Sequence, residues 1–340
     1  MRAVLMQQGN LWVDTVEDPV PAKGEVLVRT RACGICGSDL HAAQHTQTFV
    51  ETSRQTGGAF KLTTFEPVVL GHEFCAEIVD FGPQTTCRLP VGQLVCSIPM
   101  LLRDEPLAIG YSETVPGGFG ELMVLSERML LAVPSGTPAT AAALTEPMAV
   151  GHHAVNKAQL SGKEAIVVLG CGPVGLAIIT ALKARGAGPI VAADFSEGRR
   201  RYAATQGADW VVNPADETAI THASLKARQV VVFECVGVPG MLDDLFATVP
   251  PATRIVVVGV CLQTDHIRPL PAINKELALQ FVLGYTEAEF AESLTFIAEG
   301  RFDIADLVSH QIAMTDVAAA FEALKNPDRH AKVIIDPTLP

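Results

Sequence analysis

Three short clusters in this 340-residue chain carry side chains able to hold a metal ion or move a proton. The first, Cys33-Gly34-Ile35-Cys36-Gly37-Ser38-Asp39-Leu40-His41, offers two thiols, a hydroxyl, a carboxylate and an imidazole. The others are Gly71-His72-Glu73 and Thr145-Glu146-Pro147. A thiolate, an imidazole and carboxylates from separated segments can build an open Zn²⁺ site, where water or a substrate oxygen completes the coordination. Each cluster alone has a plainer explanation. A lone histidine is more often a hydrogen-bonded structural residue, and Glu146 suits the positive end of a helix dipole. Cys33 and Cys36 have redox spacing, but a redox pair opens a helix in a redox fold, whereas this one follows a β-rich stretch. A zinc ribbon would need a second close cysteine pair, which the sequence lacks.

A further segment points to a nucleotide. The apolar run Ala165 to Leu169 leads directly into Gly170-Cys171-Gly172-Pro173-Val174-Gly175, and a helical pattern follows. GxGxxG is weak by itself; between strand and helix it predicts a dinucleotide turn. Gly170 allows the tight turn, Gly172 the approach of a pyrophosphate, and Gly175 close packing of helix on strand. Pro173 and Val174 lie at the helix N-terminus, whose free N–H groups and dipole favour phosphate. Asp194 follows Gly175 by 19 residues, where a carboxylate accepts the ribose hydroxyls and favours NAD over NADP. Arg199 could pair with a 2′-phosphate, but Asp194 would repel that phosphate. Arg200 and Arg201 read as a solvated helix face.

The elements that must position these groups fall into two textures. The first 130 residues read as short strands, including Glu25 to Arg31, Phe74 to Phe81, Gln93 to Ile98 and Gly120 to Leu125. Helical patterns cover Thr137 to Ala143 and Met148 to Ala158. From Glu164 onward strands and helices alternate: strand Ala165 to Leu169, strand Ile190 to Ala193, helix Glu197 to Gln206, strand Trp210 to Val212, then strands Val230 to Cys235 and Arg254 to Val258. That alternation predicts βαβ units and a doubly wound parallel sheet. Two amphipathic helices, Glu287 to Glu299 and Asp316 to Lys325, precede a last strand, Lys332 to Ile335. The apolar run Ile255 to Val260 reads as a sheet edge able to pair across a dimer.

Composition narrows the classes further. The chain is 49% apolar and 18% charged, against roughly 25% charged in typical globular proteins, which excludes disorder. A net charge of −12 without a basic run beyond Arg199–Arg201 argues against nucleic-acid binding. No apolar run approaches the ~18 residues of a membrane span, and Met1 to Gly9 shows no secretory signal. The expected compartment is the cytoplasm, with the eight cysteines as free thiols or metal ligands.

The order GICGSDLH, GHE, EP, then strand-GxGxxG-helix resembles the zinc-dependent medium-chain alcohol dehydrogenases, closest to the polyol (sorbitol) and secondary-alcohol branch. The resemblance covers essentially the whole chain. It implies a β-rich GroES-like catalytic domain (1–150 and 285–340) and a Rossmann NAD-binding domain (151–284), an α/β architecture. It implies Cys36 and His72 as zinc ligands, with Glu73 and Glu146 as carboxylates binding the metal directly or through water. Asp39 resembles the carboxylate that orients the zinc histidine, and Ser38 and His41 the hydroxyl and imidazole of a proton relay. The implied reaction is hydride transfer between an alcohol, secondary or polyol, and NAD, by a homodimer or homotetramer.

Two departures stand out. The family's structural zinc takes four clustered cysteines, but Gly92 to Gly120 holds only Cys96, and Cys87 would still leave two ligands missing. One zinc per chain is expected. His72 lies 36 positions after Cys36, a long gap, and the added polar segment Ala42 to Thr64 is either a cap on the substrate cleft or a surface insertion. The competing enzymatic reading, a zinc-free NADPH-dependent quinone or enoyl reductase, would require loss of Cys36, His72 and Glu73 together and a basic residue in place of Asp194. A non-catalytic nicotinamide-binding protein is the reading from another class.

Overall fold

The computed structural model describes residues 1–224, 229–326, 328 and 331–340, which divide into two compact units. The first contains Met1–Glu146, Val308–Asn326 and Lys332–Pro340; the second contains Pro147–Leu307 with Asp328 and Ala331.

The first unit is organised by strand Glu25–Gly34, the longest among the described residues at 10 residues. Its sheet runs in the order Leu130–Ala132, Leu94–Ser97, Glu73–Phe81, Glu25–Gly34, Lys332–Ile335, Val308–Ile312. Leu122–Ser126 pairs with the first half of Glu25–Gly34. All these pairings are antiparallel except Val308–Ile312 with Lys332–Ile335. Register matters most at one end: Gly34 faces Glu73 on one side and Ile334 on the other. Three strand ends therefore meet at a single place.

Helix Gly37–Gln44 follows directly, and a second helix, Thr46–Gln55, occupies the long segment before His72. Neither helix is evident from the sequence, because Gly37-Ser38-Asp39 and Thr46-Gln47-Thr48 are poor helix formers held by tertiary contacts. The hairpin Arg2–Gln7/Asn10–Thr15 is likewise an addition to the expected strands.

The second unit carries a six-stranded parallel sheet in the order Trp210–Val212, Ile190–Ala193, Glu164–Leu169, Gln229–Glu234, Arg254–Val257, Ala278–Phe281. Numbered along the chain this is 3-2-1-4-5-6, the doubly wound order of a Rossmann fold. Its core takes Val167, Val191, Val232, Phe246 and Ile255, all within 2% of complete burial.

Two expectations change. Ile255 to Val260 is not at a sheet edge: Arg254–Val257 pairs on both sides, and the edge is Ala278–Phe281. A continuous apolar run marks a strand covered on both faces, whereas the edge strand Ala-Leu-Gln-Phe is too mixed to read as one. Residues 285–307, expected with the catalytic domain, pack with the second unit. Glu289 on helix Glu287–Ala298 accepts hydrogen bonds from His153 (2.7 Å) and Asn156 (2.6 Å), and the Phe296 ring stacks on His152.

Candidate active site

The convergence of strand ends in the first unit assembles the metal-binding residues. Cys36 stands two residues past Glu25–Gly34, at the N-cap of helix Gly37–Gln44. His72 and Glu73 stand at the start of Glu73–Phe81. One ligand atom from each of Cys36, His72 and Glu73 lies within 4.8 Å of the others. Gly71 makes the approach possible. Its φ is +102°, and a Cβ there would sit 2.5 Å from the Phe119 ring, so only glycine lets the chain turn into His72.

Asp39 ties the cluster together. It is fully buried; its Oδ2 accepts the Cys36 backbone N–H at 2.9 Å, and its Oδ1 lies 3.4 Å from His72 Nδ1. Ser38 Oγ lies 3.5 Å from His72 Nε2. Burial pulls the His72 pKa down, but the Asp39 and Cys36 charges outweigh it and leave the free imidazole well above its ordinary value. His41, half-buried on the same helix, is shifted the other way by burial and by His45. Cys36 does open a helix, contrary to the expectation for this pair, but Cys33 lies sealed in the strand. Burial, with Asp39 and Glu73 nearby, pushes its thiol well up, the reverse of a redox cysteine. Glu146 lies outside the group of three, although its charge contributes to holding Lys332 protonated.

The second unit places the glycine-rich turn at the end of Glu164–Leu169, with Gly172 as N-cap and Pro173 opening helix Pro173–Ala184; Val174 is in its first turn. A Cβ on Gly175 would sit 1.9 Å from the Gly170 carbonyl oxygen, so helix and strand pack at glycine distance. Asp194 follows strand Ile190–Ala193. Its Oδ2 accepts the Cys171 N–H and its Oδ1 the Ser196 N–H, both at 2.8 Å, which ties the carboxylate to the turn. Arg199 NH1 is 3.8 Å from Asp194 Oδ2, and Arg200 is spent on the carbonyls of Asp194 and Phe195.

Residues 22–135 match the family model described as alcohol dehydrogenase GroES-like domain, and residues 173–299 the one described as zinc-binding dehydrogenase. The chain is 30% identical to the (R,R)-butanediol dehydrogenase of Bacillus subtilis over 97% of both chains. It belongs to the zinc-dependent medium-chain alcohol dehydrogenases. The sorbitol dehydrogenase of Bacillus subtilis is 28% identical over 98% of this chain and 96% of its own. The crystal structure of 2R,3R-butanediol dehydrogenase from Bacillus subtilis superposes with a TM-score of 0.85 at 27% identity, covering 99% of each chain.

The donor set of this dehydrogenase suits zinc. It combines a thiolate, an imidazole and a carboxylate, and the His72 ring turns Nδ1 toward Asp39 at 3.4 Å, which leaves Nε2 for a metal. Two residues at the site have no counterpart in the sequence-based reading. Lys332 Nζ is 2.7 Å from each carboxylate oxygen of Glu73 and 3.2 Å from the Ile35 carbonyl. A lone lysine opening the apolar strand Lys-Val-Ile-Ile was the available signal. Tyr111, buried in the first unit, places its hydroxyl 2.8 Å from Ser38 Oγ and 3.1 Å from Asp39 Oδ1. Nothing in its local sequence marks it. Among the described residues no helix is long and apolar enough to cross a membrane.

Proposed function

We propose that this dehydrogenase oxidises a secondary alcohol or polyol reversibly, with NAD as cofactor and one catalytic zinc per chain. The observation that carries the reading is the Cys36–His72–Glu73 group with Asp39 behind it and Ser38 beside it. When bound, zinc lowers the pKa of a substrate hydroxyl as a Lewis acid, and the nicotinamide accepts the hydride.

The chain's own residues do the rest. Cys36, His72 and Glu73 hold the metal, and Glu146 supplies a further carboxylate nearby. Asp39 fixes the His72 ring through Nδ1 and the Cys36 backbone through its N–H, so one buried carboxylate orients two ligands. Ser38 Oγ takes the proton of the alcohol as it releases its own hydroxyl proton along the relay toward His41. His41 stands three residues further along the helix, and residues so spaced share a face. Its lowered pKa keeps the imidazole neutral and able to accept a proton near pH 7. In the second unit, Gly170, Gly172, Pro173, Val174 and Gly175 cradle the pyrophosphate, and Asp194 accepts the adenosine ribose hydroxyls. Arg199 borders that position.

A structural zinc is not part of this reading, because Gly92 to Gly120 offers only Cys96 and Cys87 would still leave a four-cysteine site two ligands short. The enzyme acts as a homo-oligomer through the strand Ala278–Phe281. The test is a panel of polyols, secondary alcohols and aryl alcohols assayed with NAD and with NADP, with zinc quantified per chain. Cys36→Ala and His72→Ala are expected to abolish turnover and spare NAD binding. Full turnover by either variant overturns the metal mechanism.

A further inference from the structure

The hydroxyl of Tyr111 and the segment that packs on its ring are not used by the reaction as described so far. Tyr111 is 4% exposed, and its single proton faces two acceptors, Ser38 Oγ and Asp39 Oδ1. Its ring lies 5.1 Å from that of His72, 4.7 Å from Phe60 and 5.5 Å from Phe49. Phe49 and Phe60 stack on each other at 4.8 Å, 6° from parallel. Phe49 comes from helix Thr46–Gln55, and Phe60 from just beyond it. The same segment grips the backbone, since Lys61 N–H donates to the Tyr111 carbonyl at 2.8 Å. The long gap between Cys36 and His72 thus delivers two rings and a hydrogen bond to a single tyrosine.

We infer that Tyr111 is a positioning residue for the Ser38 hydroxyl, held in place by the Phe49–Phe60 stack that the added segment supplies. The inference rests on the reading above, in which Ser38 takes the proton of the alcohol. A serine hydroxyl relays a proton only when a lone pair faces the donor while its own O–H faces the next acceptor. Free rotation about the Cβ–Oγ bond would spread it over other states. Tyr111 limits it to two. When the phenol donates to Ser38, one lone pair is taken and the serine proton points elsewhere. When the phenol donates to Asp39, the serine donates back to the phenol oxygen. In both states the phenol keeps its proton and donates it to one of the two acceptors. It passes no proton itself.

The test is steady-state kinetics of the zinc-loaded enzyme, using the alcohol turned over fastest in the panel. Tyr111→Phe keeps the ring and removes the hydroxyl. Its kcat is expected to fall about 10-fold, less than the roughly 10²–10⁴-fold contributed by a group that itself transfers the proton, with KM for alcohol and NAD within about twofold and zinc content unchanged. In a Ser38→Ala background the same substitution is expected to cost nothing further. Equal losses in both backgrounds, or an unchanged kcat, overturn the inference. Should Ser38→Ala alone leave kcat intact, the relay reading fails, and the inference with it. Phe49→Leu and Phe60→Leu serve if Tyr111→Phe does not fold: each is expected to lower kcat several-fold without changing zinc content, and an unchanged kcat in both again overturns the proposal.

Discussion

The Lys332 ammonium sits 2.7 Å from both carboxylate oxygens of Glu73, with Glu73 fully buried and Lys332 4% exposed. The two residues are 259 positions apart, and the strands on either side of Glu25–Gly34 bring them together. Burial alone would strip the proton from Lys332, but the Glu73 charge, assisted by Cys36 and Glu146, raises its pKa instead. Glu73 therefore faces two cations, the lysine and any metal held with Cys36 and His72. A buried charge left without a partner is costly, commonly about 3–5 kcal/mol.

Lys332→Met is accordingly expected to destabilise the metal-free protein by about 3–5 kcal/mol and the zinc-loaded protein by clearly less, because the metal then neutralises Glu73. Thermal unfolding with saturating zinc and with EDTA reads the difference directly. An equal loss in both states would mean that Glu73 does not reach the metal.

Cofactor preference turns on Asp194. Its carboxylate is fixed by the Cys171 and Ser196 amides, with Arg199 3.8 Å away. Asp194→Ser removes the repulsion toward a 2′-phosphate and frees the Arg199 guanidinium to meet it. The ratio of kcat/KM for NADP over NAD is expected to rise at least about tenfold, equivalent to ~1.4 kcal/mol. Arg199→Ala in the Asp194→Ser background should reverse most of that gain. Unchanged preference in Asp194→Ser would remove Asp194 from the ribose site.

How much of this was legible in the sequence follows from how local each signal is. Cys36, Ser38, Asp39 and His41 share one stretch, which let a family resemblance imply their roles, and Gly170 to Gly175 is contiguous between a strand and a helix. The strand Ile190–Ala193 is an unbroken apolar run and Lys332–Ile335 is apolar after its first residue, so the bounds of both were readable. Lys332 and Tyr111 were not, because their partners lie 259 and 73 positions away and no periodicity encodes a single long-range contact. The helix Thr46–Gln55 was hidden for a related reason: its polar sequence gains its apolar contact mainly through Phe49.

The sheet edge offers a test of assembly. Strand Ala278–Phe281 pairs on one side only among the described residues, and Phe281 and Leu283 beside it are 63% and 90% exposed. Leu270 and Ile273 on the neighbouring helix Pro269–Asn274 are 64% and 68% exposed. An open edge rimmed by apolar side chains is a template for a second copy. Leu283→Glu is expected to shift the protein to monomers in sedimentation velocity at micromolar concentration. A variant that stays at wild-type size would place the contact elsewhere.

Acid stability of the second unit is expected to depend on Glu164. Burial opposes ionisation of its carboxylate, but the amides of Ser161 and Lys163, the Ser161 hydroxyl and the Arg254 guanidinium donate to it. The net effect lowers its pKa from 4.5 to about 2. A folded-state pKa below the unfolded one contributes stability that is complete above the unfolded value and fades as pH falls toward the folded one. Glu164→Gln loses this charged acceptor, at a cost of about 2 kcal/mol near neutral pH, in the range of hydrogen bonds to an ionised group. Urea unfolding of both proteins should show a constant gap above about pH 5 that closes toward pH 2. A gap that stays the same at low pH would assign the loss to packing rather than to the charge, since the amide preserves the shape but not the ionisation.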